Sequence, residues 1–220
     1  DGHIVAQEGT QQVRISLQEV PLTQNGAIGF QVENAMASIG AAWAVNLSWA
    51  SICQGLSSFA SDTQAVPGRF NMFSYKGAAI IADYGHNPDA IKALVQAVTN
   101  LPAKERSVVI SGAGDRRDED IREQTRLIGD AFERVVLFED ACQRGRADGE
   151  VIALLREGLQ GATRVQTIED VYGEFKAIDR ALEKLQAGDV CLILIDQIQE
   201  SMAHVQMRMN EASTSAKASC

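Results

Sequence analysis

Two stretches, SVVIS at residues 107–111 and VCLILI at residues 190–195, carry unbroken apolar runs where a half-buried strand would alternate apolar with polar positions. A strand that hides both faces needs cover on each side, and in α/β proteins that cover is helical and the sheet is parallel. Further strand candidates lie at residues 72–75, 78–82, 134–138 and 163–167. Between them, residues 88–99, 119–132, 150–158 and 171–185 place apolar side chains three and four apart, as amphipathic helices do. The fold class is therefore α/β from about residue 61 onward: a doubly wound, mostly parallel, Rossmann-like sheet flanked by helices. Such sheets hold their ligands beyond the C-terminal ends of the strands.

The first 60 residues differ. They carry five charged side chains (Asp1, Glu8, Arg14, Glu19 and Glu33), and the other forty-four follow. This shift predicts a boundary near residue 60, with a connector at residues 61–68. Short strands are expected at 3–6, 13–17 and 27–30, and helices at 34–44 and 48–59. Below about 70 residues a lone core is marginal, so this segment is expected to be part of something larger. Residues 210–220 are small and polar and are expected to be a disordered tail after a second domain over 61–209.

Composition excludes several classes. A net charge of −9 is incompatible with a basic nucleic-acid footprint across the whole fold, though a small local patch remains compatible. The cysteines at 53, 142, 191 and 220 form no C-x-x-C pair and do not cluster with the histidines at 3, 86 and 204. Neither a metal site nor a disulfide framework is expected, and reduced thiols in a cytoplasmic protein are. The apolar window 36–52 is interrupted by Ser38, Gly40, Asn46 and Ser48, so no membrane span is expected. The N-terminus lacks both the features of a signal peptide and an initiator Met, which suits a fragment.

Four clusters fall where ligands bind. Asp83-Tyr84-Gly85-His86-Asn87-Pro88 joins a strand to a helix. Asp83 can accept from a ribose hydroxyl or hold a metal-bound water, and Tyr84 and His86 can line a base. Equally, Asn87 can be a plain N-cap with His86 at the surface. Ser111-Gly112-Ala113-Gly114-Asp115-Arg116-Arg117 also runs from strand to helix. Its glycines admit a close ligand and Arg116 or Arg117 can neutralise phosphate, but Arg at 117 breaks G-x-G-x-x-G. The alternative is a solvated, mixed-sign helix face. Glu139 and Asp140, followed by Arg144 and Arg146, can hold the two ends of an amino acid or form an exposed salt-bridged loop. Arg69, in Pro67-Gly68-Arg69-Phe70 at the boundary, can reach a ligand or simply face solvent.

No Lys in the chain follows a Gly, so G-x-x-x-x-G-K-[ST] is absent, and no Ser or Cys sits in a nucleophile elbow. The chain lacks a catalytic engine of its own.

The ordered series Glu33-Asn34-Ala35-Met36-Ala37, Gln54-Gly55-Leu56-Ser57-Ser58-Phe59, Pro67-Gly68-Arg69-Phe70 and Asp83-Tyr84-Gly85-His86-Asn87-Pro88 resembles the Mur ligase family. PGRFN at 67–71, GAGDRRDED at 112–120 and EDACQRGR at 139–146 are more closely similar to the Mur-like C-terminal part of the cyanophycin synthetases, one branch of that family. The resemblance spans about residues 1–195. It implies that residues 1–60 are the tail of a central ATPase domain whose P-loop lies elsewhere, and that 61–209 is the C-terminal Rossmann-like domain. It further implies an ATP- and Mg2+-dependent ligase that joins an amino acid to a carboxylate through an acyl phosphate. Asn34 would lie by the adenine, Arg69 would reach the phosphates, Asp83 would orient nucleotide and metal, and His86 and Asn87 would flank base and ribose.

The resemblance places the loop from Glu139 to Arg146 toward the incoming amino acid; Arg116 and Arg117 are expected to join it in binding the substrate. In the cyanophycin branch that amino acid is arginine and the acceptor an acidic polymer, the aspartate β-carboxyl of polyaspartate; a homo-oligomer is compatible with this. Two departures stand out: Gly85 replaces a usual Ala, and Asp196-Gln197-Ile198-Gln199-Glu200 replaces a late Gly-Lys-Gly-His-Glu. A peptidoglycan or folylpolyglutamate ligase and a non-catalytic Rossmann-like module that binds a nucleotide or protein remain alternatives. On every reading the chain alone is expected to be inactive.

Overall fold

A computed structural model describes residues 2–59, 61, 63, 65–139 and 142–218. The chain divides into two compact units, Asp1–Ser61 and Asp62–Cys220.

In the first unit, β1 (His3–Glu8) and β2 (Gln11–Ser16) form an antiparallel hairpin in which Glu8 faces Gln11. Gly9 at φ +58 supplies the left-handed position that so tight a turn requires. Two single helical turns lead to α1 (Gly29–Ala44) and α2 (Trp49–Ser58). Ser48 caps α2 by accepting from the Ser51 amide at 3.2 Å. Ile4, Ile15, Val20, Ala35, Ile39 and Ile52 make the core. Residues 27–30, expected as a strand, are instead the entry to α1. The buried Thr23 hydroxyl donates to the Val20 carbonyl at 2.9 Å and accepts from the Gly26 amide at 3.1 Å, closing a turn there. The buried set Gln31, Ala35 and Ile39 then continues at helical spacing.

The second unit is a six-stranded sheet in the order β3-β4-β8-β5-β6-β7: β3 (Asn71–Tyr75), β4 (Ala78–Asp83), β5 (Arg106–Ile110), β6 (Arg134–Glu139), β7 (Thr167–Tyr172) and β8 (Val190–Leu194). All neighbours are parallel except β3 with β4. Between strands run α3 (Pro88–Thr99), α4 (Asp118–Ile128), α5 (Glu150–Gly158) and α6 (Glu174–Lys184), and α7 (Ile198–Ala218) follows β8. Ile80, Val109, Val136, Phe138 and Ile193 pack with Ala177 and Ile178 of α6 and Met202 and Val205 of α7. Strand alternation turns Ile81, Val108, Val135 and Leu137, all fully buried, to the opposite face. There α3 packs on α4 and α4 on α5.

Two expectations need correction. The strand expected at 163–167 begins at Thr167 and runs to Tyr172. Thr163 is occupied elsewhere, since its amide and hydroxyl both donate to Asp130 at 3.2 and 2.7 Å. As an edge strand, β7 is only half buried and carries Glu169 and Asp170, which blurs its apolar signal. The expected disordered tail from 210 is, as far as Ala218, the second half of α7. Nothing in that stretch is Gly or Pro, and its Ala, Glu and Lys residues favour helix once the first turns are anchored. Among the described residues no helix is long and apolar enough to cross a membrane.

Candidate functional site

The chain leaves β4 by α3 and passes over the position of β8 to reach β5, then proceeds outward to β6 and β7 before α6 returns it to β8 at the centre. Connections that depart in opposite directions from neighbouring strands open a crevice at their C-terminal ends. That crevice is present as a cleft of about 690 Å³, part of it open to solvent, between the loops after β4, β5, β6 and β8. Tyr84 and His86 line it from the first loop, Ser111 and Arg116 from the second, Cys142 and Arg144 from the third, and Asp196 from the last.

Beneath the β4 loop lies Asp83, 8% exposed. Burial pushes its carboxyl above the ordinary aspartate value; the amides of Phe70 and Gly85 and the nearby Arg69 charge pull it back part of the way. The Phe70 amide donates to Oδ2 at 2.8 Å. Above it, the Tyr84 and His86 rings lie 4.6 Å apart, and the Arg69 guanidinium sits 5.9 Å from the Tyr84 ring centre. His86 is fixed at both ends: Nδ1 lies 2.9 Å from the Tyr84 carbonyl, and its own carbonyl accepts from Gln124 at 2.9 Å.

The β5 and β6 loops are pressed together. A Cβ at Gly114 would overlap the Gln143 carbonyl oxygen, so only glycine permits this approach. Arg146 staples the pair: Nε donates to the Gly114 carbonyl at 2.7 Å, Nη2 to the Arg116 carbonyl at 2.7 Å, and Nη1 to Glu150 at 2.6 Å. Arg144, at φ +49, spans the mouth with Nη1 3.4 Å from Asp115 and Nη2 3.5 Å from Asp196. These are long contacts between half-exposed groups, of the kind a ligand can replace.

The structure thus gathers Tyr84, His86, Arg116 and Arg144 on one cleft, with Arg69 and Asp83 directly behind. Others named from the sequence stand elsewhere. Asn87 caps α3, accepting from the Ala90 amide at 2.9 Å. Arg117 is paired with Asp120 at 2.8 Å and points to solvent. Arg146 braces the loops. Glu139 is no cleft residue: Phe138 lines the cleft, so alternation sends Glu139 to the other face, where Oε2 accepts from the Gly149 amide at 2.7 Å at the start of α5. Asp140 lies outside the described residues. Asn34 belongs to the first unit and donates to Gln31 at 3.0 Å.

Sequence reasoning missed Gln124, 1% exposed, which looked like part of a solvated charged helix. Its place in the buried series Ile121, Gln124, Thr125 and Ile128 was the available signal. Asp196, the first polar residue after the most apolar strand, carries no motif of its own. Among the described residues no three His, Cys, Asp or Glu side chains are grouped to hold a metal ion.

The sequence profile of the "Mur ligase, glutamate ligase domain" matches residues 68–194, more than half of the chain. The chain belongs to the Mur ligase family. The glutamate ligase domain so defined reaches from the turn before β3 to the end of β8 and so includes the cleft residues of the loops after β4, β5 and β6, while Asp196 lies just beyond it. Among curated proteins, the cyanophycin synthetase of Trichormus variabilis is 31% identical over 191 residues, covering 87% of this chain and 21% of that protein. The chain therefore spans about a fifth of that relative. Among solved structures, the pseudomurein peptide ligase type C of Methanothermus fervidus aligns with a TM-score of 0.61 at 16% identity, over 94% of this chain and 40% of that one. A Mycobacterium tuberculosis folylpolyglutamate synthase complexed with ADP aligns with a TM-score of 0.56 at 19% identity, over 74% and 36%. At these identities the solved structures support the Mur ligase fold alone.

Proposed function

We propose that the chain is the C-terminal part of an ATP-dependent ligase that forms an amide bond between an amino acid and a carboxylate of an acidic peptide or polymer. The observation that carries this is the two-sided cleft: an aromatic pair with a guanidinium behind it on one wall, and Arg144 held between two carboxylates on the other. ATP, with Mg2+, supplies activation of the acceptor carboxylate when bound. In this reading Tyr84 and His86 flank the nucleoside, Arg69 neutralises phosphate charge, and Asp83, fixed by two amides, keeps that wall in place. These residues suit a lid over a nucleotide; the chain has no glycine-rich phosphate cradle ending in Gly-Lys, so isolated it binds Mg-ATP weakly and turns none over. The low charge of the first unit and its apolar groove, lined by Val20, Ile39, Leu47, Ile52 and Phe59, support reading that unit as the tail of a larger central domain.

For the amino acid we propose arginine. In this reading Arg116 and Arg144 take its carboxylate and Asp115 and Asp196 its guanidinium, while Glu139, which accepts from the Gly149 amide, braces the start of α5 instead. The likeness to cyanophycin synthetases supports the same choice, with a polyaspartate acceptor. The test is ATP turnover by the full-length ligase with arginine, lysine, glutamate or diaminopimelate. Arginine is expected to give the highest kcat/KM; a preference for glutamate or diaminopimelate would overturn the substrate, and turnover with none would overturn the ligase.

A further inference from the structure

Glu174 opens α6, is 1% exposed, and is not among the cleft residues. A buried carboxylate persists only when donors surround it. Here Oε1 accepts from the Asp196 amide at 2.9 Å and from the Ser201 hydroxyl at 2.6 Å, and Oε2 accepts from the Gln197 amide at 3.1 Å. A residue on one helix thus anchors the first turn of α7 and the connection from β8, whose exposed amides would otherwise be free to shift. The side chain of the same Asp196 turns outward to Arg144, and Arg144 continues to Asp115.

We infer that Glu174 is a positioning residue for the amino-acid end of the cleft, acting through the backbone of Asp196 on the guanidinium of Arg144. The inference deepens the proposed ligase reading and rests on it for its kinetic test. A plain helix cap would satisfy the amides of α7 and affect stability alone. Glu174 differs because one of its amides belongs to the residue that holds Arg144 across the mouth.

The test is a double-mutant cycle in the full-length ligase. Glu174→Gln keeps the volume but turns an NH2 toward at least one of the donors. It is expected to raise the KM for the amino acid about tenfold and to change the KM for ATP by less than about twofold. In an Arg144→Gln background the further rise should shrink to under about twofold, because the path ends at Arg144. Equal rises in the two backgrounds, or parallel shifts in both KM values, would overturn the inference. Should Glu174→Gln fail to fold, Ser201→Ala removes one donor from the same carboxylate and replaces it in the cycle, with an expected rise of about threefold. Hydrogen exchange read by mass spectrometry on the same ligand-free protein gives a measure independent of activity. Peptides covering residues 195–201 and 142–146 should both exchange faster in Glu174→Gln; acceleration of the first alone would overturn the inference. A wild-type ligase inert with every amino acid sinks the proposed function, and the exchange result then decides the positioning role by itself.

Discussion

The amide of Phe70 donates to Asp83 Oδ2 at 2.8 Å, tying the turn before β3 to the last residue of β4. Phe70 holds φ +51 to do so, a left-handed conformation that costs a non-glycine residue about 1–2 kcal/mol. The turn is set by Asn71, whose Oδ1 accepts from the Gly68 amide at 2.7 Å.

Asp83 makes stability depend on pH in a direction opposite to that of a salt-bridged aspartate. Its carboxyl lies above its ordinary value, first because burial disfavours the charge. The folded state therefore binds the proton more tightly than the unfolded one. The contribution is fully present below the unfolded pKa and is lost as pH rises through the folded pKa. Urea unfolding of wild type and Asp83→Asn from about pH 3 to about pH 7 should show the wild type losing ground to the variant as pH rises. A gap that widens in favour of the wild type would contradict this.

Leu94 and Asp83 crowd the space beside Gly85. A Cβ at Gly85 would lie 2.6 Å from Leu94 Cδ1 and 3.0 Å from Asp83 Oδ1. Gly85→Ala should destabilise by about 1–2 kcal/mol in urea melts, and Leu94→Val in the same chain should recover part of that loss.

Two other glycines predict opposite outcomes. A Cβ at Gly158 would overlap the Arg122 carbonyl and the Thr125 hydroxyl, which itself donates to the Leu155 carbonyl at 2.7 Å. Gly158→Ala must push α5 from α4 and should cost about 3 kcal/mol. Gly40, exposed within α1, meets nothing within 4 Å, so Gly40→Ala should stabilise by about 0.5–1 kcal/mol. Thermal melts of the two variants should move in opposite directions.

The two walls of the cleft should separate kinetically. Arg69→Ala is expected to raise the KM for ATP about tenfold with little effect on the amino acid, and Arg144→Ala the reverse. Steady-state kinetics on the full-length ligase would show this, and a shift of the same KM by both variants would refute the assignment of the walls.

Much of the sheet was legible because burial on both faces leaves unbroken apolar runs, as in β5 and β8. The bounds of α3 and α5 were readable from Asn87 and Pro88 and from helical spacing over Glu150–Gly158. What failed is instructive. β7 is an edge strand with charges on its half-exposed face, and α7 depends on a carboxylate more than twenty residues earlier. Glu139 and Phe138 look interchangeable as strand-end residues, yet the one-residue step between them decides which face each serves. Of the cleft, Tyr84, His86, Arg116 and Arg144 could be named from motifs; Asp196 could not, because its role depends on which loops the sheet order brings together.

The placement of β8 has a bearing on how the chain comes to be folded. Val190 pairs with Ala79, about 110 residues earlier, and on its other side with Arg106. A growing chain that has emerged only as far as β7 therefore owns two partial sheets, β3 with β4 and β5 with β6 and β7, each with a bare central edge open to a wrong partner. β8, made after both, is the keystone that joins them. Premature termination before residue 190 should leave aggregation-prone halves, and the slow step in folding should be the arrival of this one apolar strand.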